Sequence, residues 1–194
     1  MAAFNLLKQE DTEIKRIVVF GPESTGKTTL CKDLSAHYNT VWVSEFARSF
    51  LQKKWDETQE VCDLDDLITI AKGQMEAENL ALQKANNLLF CDTNVLVTQI
   101  WSETHFKGYC DPILKEAIHQ VDYDLYLLTG IDIPWEADDL RDRPEDRELM
   151  FDFFESKLKE LNLNYEFISG DRENRIKQAI ENDFRFFKSI LKDN

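Results

Sequence analysis

The sequence predicts an α/β fold: a three-layer P-loop kinase sandwich with a five-stranded parallel sheet flanked by helices, plus a lid segment. Two observations carry that expectation. Short apolar or β-branched runs alternate with longer stretches whose apolar residues recur at helical spacing, an alternation that implies crossover connections and a parallel sheet covered on both faces. The first run, RIVVF at 16–20, flows straight into GPESTGKTTL at 21–30, a glycine-bearing loop that opens a helix.

The elements follow in order. RIVVF is the first strand and KTTLCKDLSAHY its helix; TVWV (40–43) is the second strand, followed by a helix in EFARSFLQKK. A longer helical segment over 63–86 carries Leu64, Leu67, Ile68, Ala71, Met75 and Leu82 near helical spacing. NLLFC (87–91) is continuously apolar, as a strand covered on both faces should be. Helices near 95–103 and 112–120 flank the loop THFKGYCDP, and DLYLLT (124–129) is the fourth strand. After the Asp- and Arg-rich segment 130–147, a helical stripe runs through Leu149, Phe153, Phe154, Leu158 and Leu161. YEFIS (165–169) is the fifth strand, and Ile176, Ile180, Phe184, Phe187 and Leu191 stripe a final helix.

At 194 residues with no repeat, low-complexity tract or Gly/Ser linker, the chain reads as one domain, 1–194. Its 37 acidic against 23 basic residues give a net charge of -14, which argues against a large nucleic-acid or anionic-membrane surface, both partners being negative themselves. The N-terminal stretch lacks a signal-peptide core and no run of 18 apolar residues occurs, so a soluble cytoplasmic protein is expected. Cys31, Cys62, Cys91 and Cys110 are widely spaced, without a CxxC pair or clustered His, and are expected as free thiols rather than zinc ligands or disulfides.

Gly21, Gly26, Lys27 and Thr28 match GxxxxGK[ST] between a strand and a helix, the context that gives this motif its meaning. The glycines let successive N–H groups point at phosphate oxygens, and the helix start adds partial positive charge. Lys27 is expected to reach the β and γ phosphates and Thr28 to ligate Mg²⁺. A second metal carboxylate is expected in Asp92, which closes LLFCD at the same sheet edge; the alternative is that Asp92 caps the helix starting near Asn94.

Three further features point to phosphoryl transfer onto a small molecule. Glu45 and Arg48 lie three apart just past the second strand, where a carboxylate can orient or deprotonate a hydroxyl and an arginine can hold a second polar group. Arg141, Arg143 and Arg147 sit in the segment after the fourth strand, suited to a lid that closes on a transferring phosphoryl group and excludes water. Trp42, Trp101, Phe106, Tyr109 and Trp135 supply flat rings for a planar heteroaromatic substrate.

GPESTGKTTL, EFAR, FCDTNVLVTQ and WEADDLR, in that order, resemble the nicotinamide riboside kinases of the bacterial NadR type, a branch of the P-loop nucleoside kinases, over nearly the whole chain. The resemblance implies ATP-dependent phosphorylation of the 5′-hydroxyl of nicotinamide riboside to nicotinamide mononucleotide, with Mg²⁺. It makes Gly21 to Thr29, including Glu23, Ser24, Thr25 and Thr29, the ATP cradle. Asp92 and Glu45 become the carboxylates nearest metal and acceptor, either one the proton acceptor, and Arg141 with Arg143 the lid. Arg48, Trp101, Tyr109 and Trp135 are the candidate substrate contacts, and the turn SGDREN after the fifth strand the adenine-side wall. The fuller proteins of this type add a nucleotidyltransferase domain, for which this sequence has no H-x-G-H motif, so a stand-alone kinase unit is expected, as monomer or homo-oligomer. Alternatives are a kinase for another nucleoside or deoxynucleoside, a nucleoside monophosphate kinase, which would call for more basic residues than Arg48 outside the lid, and a regulatory P-loop ATPase.

Overall fold

The structure, a computed structural model, describes residues 7–187, with side chains through Glu181. Five strands, β1 (Lys15–Phe20), β2 (Trp42–Val43), β3 (Leu88–Asp92), β4 (Leu125–Thr129) and β5 (Tyr165–Ile168), form one sheet in the order β2-β3-β1-β4-β5. Every pairing is parallel. The helices are α1 (Lys27–His37), α2 (Phe46–Thr58), α3 (Leu64–Ala81), α4 (Val95–His105), α5 (Pro112–Ile118), α6 (Arg147–Glu160) and α7 (Arg172–Phe187).

Alternation along β1 explains the layers, because successive side chains on a strand point to opposite faces. Val18 and Phe20 join Leu96 and Ile100 of α4 and Phe154 and Leu158 of α6 in one core. Ile17 and Val19 join Leu30 and Leu34 of α1 and Ala179 of α7 in the other. These four β1 side chains, Ile17 to Phe20, are fully buried, which is why that part of the run is apolar on both faces. Phe20 meets Tyr126 edge-on at 5.3 Å and Phe154 at 4.9 Å; burying such a ring stabilises the fold by about 1.5–3 kcal/mol. A third cluster, with Leu67, Val95 and Leu114, joins α3, α4 and α5.

Two expectations are corrected. Leu149 stands outside the α6 stripe, 64% exposed, because the buried face runs through Met150, Phe154 and Leu158. Leu64 begins α3 partly exposed, at 42%. The side chains of Phe184 and Phe187, and Leu191 altogether, lie outside what is described. Cys31, Cys62, Cys91 and Cys110 are free thiols, as expected. Among the described residues no helix is long and apolar enough to cross a membrane.

Parallel strands put every C-terminal end on one edge. Val19 of β1 lies level with Asp92 of β3, and Phe20 with Leu128 of β4. The glycine loop after β1, Asp92, and the turns after β2 and β4 therefore converge at the central strand, where chain direction outward from β1 switches sides and ligands of such sheets bind.

Candidate active site

The converging loops enclose a cavity of about 690 Å³, within the size of small-molecule sites. One end is the loop 21–28. Gly26, the residue before α1, holds φ 78°, and a Cβ there would come within 2.9 Å of Ile133. Only glycine takes both conditions without strain. Among the described residues no side chain caps α1, whereas Asp63, Asn94 and Asp111 cap α3, α4 and α5. Its first-turn N–H groups thus keep their positive ends for an anion. Lys27 Nζ folds back to donate to the Pro22 carbonyl at 2.7 Å.

Thr28 Oγ1 donates to Asp92 Oδ2 at 2.5 Å. Asp92 is buried, its Oδ1 accepts no hydrogen bond among the described residues, and burial holds its carboxyl above the usual range against the opposing pull of Lys27 and Thr28. Asn94, not Asp92, caps α4, accepting from Leu96 N at 3.2 Å. Between them Thr93 holds φ 69°, an uncommon conformation for a β-branched residue, which turns the chain sharply from β3 into the helix. Among the described residues no three His, Cys, Asp or Glu side chains gather to hold a metal by themselves. Thr28 Oγ1 and the free Asp92 Oδ1 fit Mg²⁺, which binds through one or two carboxylates and completes its shell with phosphate and water.

Across the cavity Glu45 immediately precedes α2. It is partly exposed as a residue, yet desolvation is the largest influence on its carboxyl and raises its pKa, with Lys27 opposing and Asp92 assisting. The α2 start is pinned from the core: Phe46 N donates to Gln74 Oε1 at 2.9 Å, and Gln74 leads on to the fully buried Glu78, which accepts from Tyr123 Oη at 2.8 Å. Arg48 does not face Glu45 as an ion pair. Both its terminal nitrogens donate to Asp138 of the lid.

The segment 130–147, expected as a lid, is docked on the glycine loop. Glu136 N donates to Ser24 Oγ at 2.8 Å, and Arg147 donates to the carbonyls of Ser24 and Ile133 at 3.2 and 2.9 Å. Arg141 contacts Asp138 at 3.3 Å and the Glu136 carbonyl at 2.5 Å. Arg143 turns away to the Thr104 carbonyl at the end of α4. All three lid arginines border the cavity.

Of the predicted aromatic contacts, Trp101 and Trp135 line the cavity. One face of Trp101 is taken by His105, stacked at 3.7 Å, and Arg147 lies over Trp135 at 5.8 Å. Tyr109 is a correction: it is 48% exposed beyond α4 and does not border the cavity. Trp42, beside Lys32, and Phe106, packed under α4, also lie off it.

Arg175 of α7 carries no motif and was not expected. It is 3% exposed and ties three loops together, donating to the carbonyls of Thr25, Gly130 and Gly170 and pairing with Asp132. It is the turn SGDREN that delivers Arg172 and Arg175 to the cavity wall.

An uncapped helix start behind a glycine loop, its first hydroxyl resting on the carboxylate of the neighbouring strand, is the arrangement of a P-loop domain. The class fits the strand order as well as the loop. The chain belongs to the AAA domain family AAA_28, whose model matches residues 16–175. It is similar to the trifunctional NAD biosynthesis/regulator protein NadR of Salmonella typhimurium, 26% identical over 171 residues, 87% of this chain and 42% of that protein. The chain thus spans about two fifths of the length of that curated relative. Its fold is similar to a crystal structure of NadR protein in complex with NR, with a TM-score of 0.71 and 22% identity over 89% of this chain and 50% of that one. It is also similar to deoxyadenosine kinase from M. mycoides, with a TM-score of 0.59 and 14% identity over 90% and 99% of the two chains.

Proposed function

We propose that the protein is an ATP-dependent kinase that transfers the γ-phosphoryl group to the 5′-hydroxyl of nicotinamide riboside, forming nicotinamide mononucleotide. The observation that carries it is a single cavity with two unlike ends: a phosphate cradle at Gly21–Thr28, and, facing it, Glu45 with an apolar wall including Leu67, Ile70 and Trp101. A hydrolase needs only the first end; a kinase needs a roofed place for the acceptor. The similarity to NadR supports the choice of nucleoside.

The acceptor oxygen forms the new bond to the γ phosphorus while the bond to the β–γ bridging oxygen breaks, and the hydroxyl proton passes to Glu45. Asp92 is committed to Thr28 and the metal position, leaving Glu45, whose carboxyl burial holds above the usual range and so makes more basic than an exposed one. Thr28 and Asp92 would hold Mg²⁺, which when bound would supply charge neutralisation on the phosphates. Lys27, Arg141 and Arg147 add fixed positive charge around the transferring group, and the docked lid excludes water. Burial lowers the pKa of His105, more than Asp142 raises it, so the imidazole beside Trp101 is neutral at pH 7 and does not repel a cationic pyridinium ring.

A deoxynucleoside acceptor is the second reading, favoured by the similarity to deoxyadenosine kinase. The test is a panel of ribo- and deoxynucleosides, nicotinamide riboside included, incubated with ATP and Mg²⁺ and read by mass. A phosphorylated nicotinamide riboside is expected, lost in Lys27→Ala with the fold intact. ATP hydrolysis without any phosphorylated nucleoside would instead mark a regulatory ATPase.

A further inference from the structure

Glu23 is the third residue of GPESTGKT, and nothing in phosphate binding requires an acid there. A carboxylate among N–H groups that cradle phosphates opposes the anion they hold. Its surroundings are those of the acceptor rather than the donor. Besides Lys27, the charged groups that act on Glu23 are Asp142 of the lid and Glu45 and Arg48 at the start of α2. Its Oε2 is buried and accepts no hydrogen bond among the described residues. Two of the loop's side-chain donors, Lys27 Nζ and Thr25 Oγ1, are spent on the Pro22 carbonyl. A buried carboxylate oxygen without a donor costs stability unless a ligand supplies one.

Resting on the kinase reading above, we infer that Glu23 is a specificity residue of the acceptor side: its carboxylate accepts a hydrogen bond from a sugar hydroxyl other than the one phosphorylated, and disfavours acceptors that carry a phosphate. The cavity wall as a whole carries Lys27, Arg141, Arg143 and Arg147 besides its acids, but the charges near the start of α2 agree with this role. Glu23, Glu45 and Asp92 all border it, while Arg48, the cation nearest them on α2, is neutralised by two bonds to Asp138. An uncharged or cationic nucleoside fits beside these groups; a nucleoside monophosphate meets Glu23 and Glu45 there and no free arginine of α2. Burial pushes the Glu23 carboxyl up to about 7, and a donated O–H would favour its ionised form.

The test uses whichever nucleoside the wild-type protein phosphorylates, with its 2′-deoxy and 3′-deoxy counterparts, and the variant Glu23→Gln. The expected result is an acceptor KM raised by about tenfold or more, as for loss of a charge-assisted hydrogen bond, with the KM for ATP within about twofold. Against the deoxy analogue lacking the contacted hydroxyl, wild type and variant should perform alike. An unchanged ATP-induced rise in Tm checks that the cradle is intact. Should Glu23→Gln not fold, Glu23→Asp, which withdraws the carboxylate by one methylene, is expected to give the same pattern. A variant that raises the KM for ATP instead, or that is equally impaired on every deoxy analogue, overturns the inference and leaves the kinase reading standing. A wild-type protein that phosphorylates no nucleoside overturns both.

Discussion

Glu78 offers a stability test whose size follows from the structure. It is fully buried under β3, accepting from Tyr123 Oη, and burial raises its pKa from the ordinary 4.5 to about 7 although Tyr123, Gln74 and Arg16 all pull it down. An acid with a raised folded-state pKa binds its proton more tightly when folded, so it costs nothing below about pH 4.5, where both states are protonated. As pH rises from 4.5 to 7 the unfolded chain ionises first and stability falls. The gap corresponds to about 3 kcal/mol, reached in full above pH 7. Glu78→Gln keeps an oxygen for Tyr123 but cannot ionise. It loses the long 3.5 Å contact from Gln74, a pH-independent cost of about 1 kcal/mol at most. Urea unfolding of both proteins at pH 4.5 and 8.5 is the assay. The variant should gain about 2–3 kcal/mol on the wild type between the two pH values, and the comparison cancels the other raised carboxyls, Glu23, Glu45 and Asp92. A difference that does not change with pH would refute the account of Glu78 as a carboxyl kept protonated by its burial.

Other outcomes are expected. Arg175→Ala removes a buried cation from three carbonyls and Asp132 and should destabilise the protein by about 3–5 kcal/mol in chemical unfolding, with ATP binding weakened because the Thr25 carbonyl loses its anchor. Gly26→Ala puts a Cβ against Ile133 at positive φ and should cost about 1 kcal/mol or more in stability and nearly all ATP-induced thermal stabilisation. With nicotinamide riboside as acceptor, KM should rise as pH falls through the depressed pKa of His105, because imidazolium then faces a cationic ring; His105→Phe should remove that part of the pH profile.

Much of this was legible along the chain, because periodicity is local. Asp92 and the glycine loop declared themselves by ending buried strands, and Glu45 by following one. Asp138, Gln74 and Arg175 left no such mark: their partners lie 90, 28 and up to 150 residues away. No short pattern encodes those pairings, only the convergence of parallel strand ends. Tyr109 misled for the opposite reason. An aromatic residue in a loop near the acceptor side satisfies the composition argument, but after α4 the chain leaves the cavity edge. Trp101, one turn before the end of that helix, remains at it.

The carboxylate of Asp138 belongs to the lid yet grips an arginine of α2. In mechanical terms it is a latch whose release changes the charge of what lies behind it. Were the proposed lid to swing, Arg48 would lose that partner and stand as a bare cation beside the cavity; closure would cancel it again. An anionic molecule drawn to the open form would therefore lose its welcome at the moment of enclosure, and a neutral or cationic one would not. In the proposed kinase one ion pair would give two successive opinions of a guest, and chemistry would follow only the second.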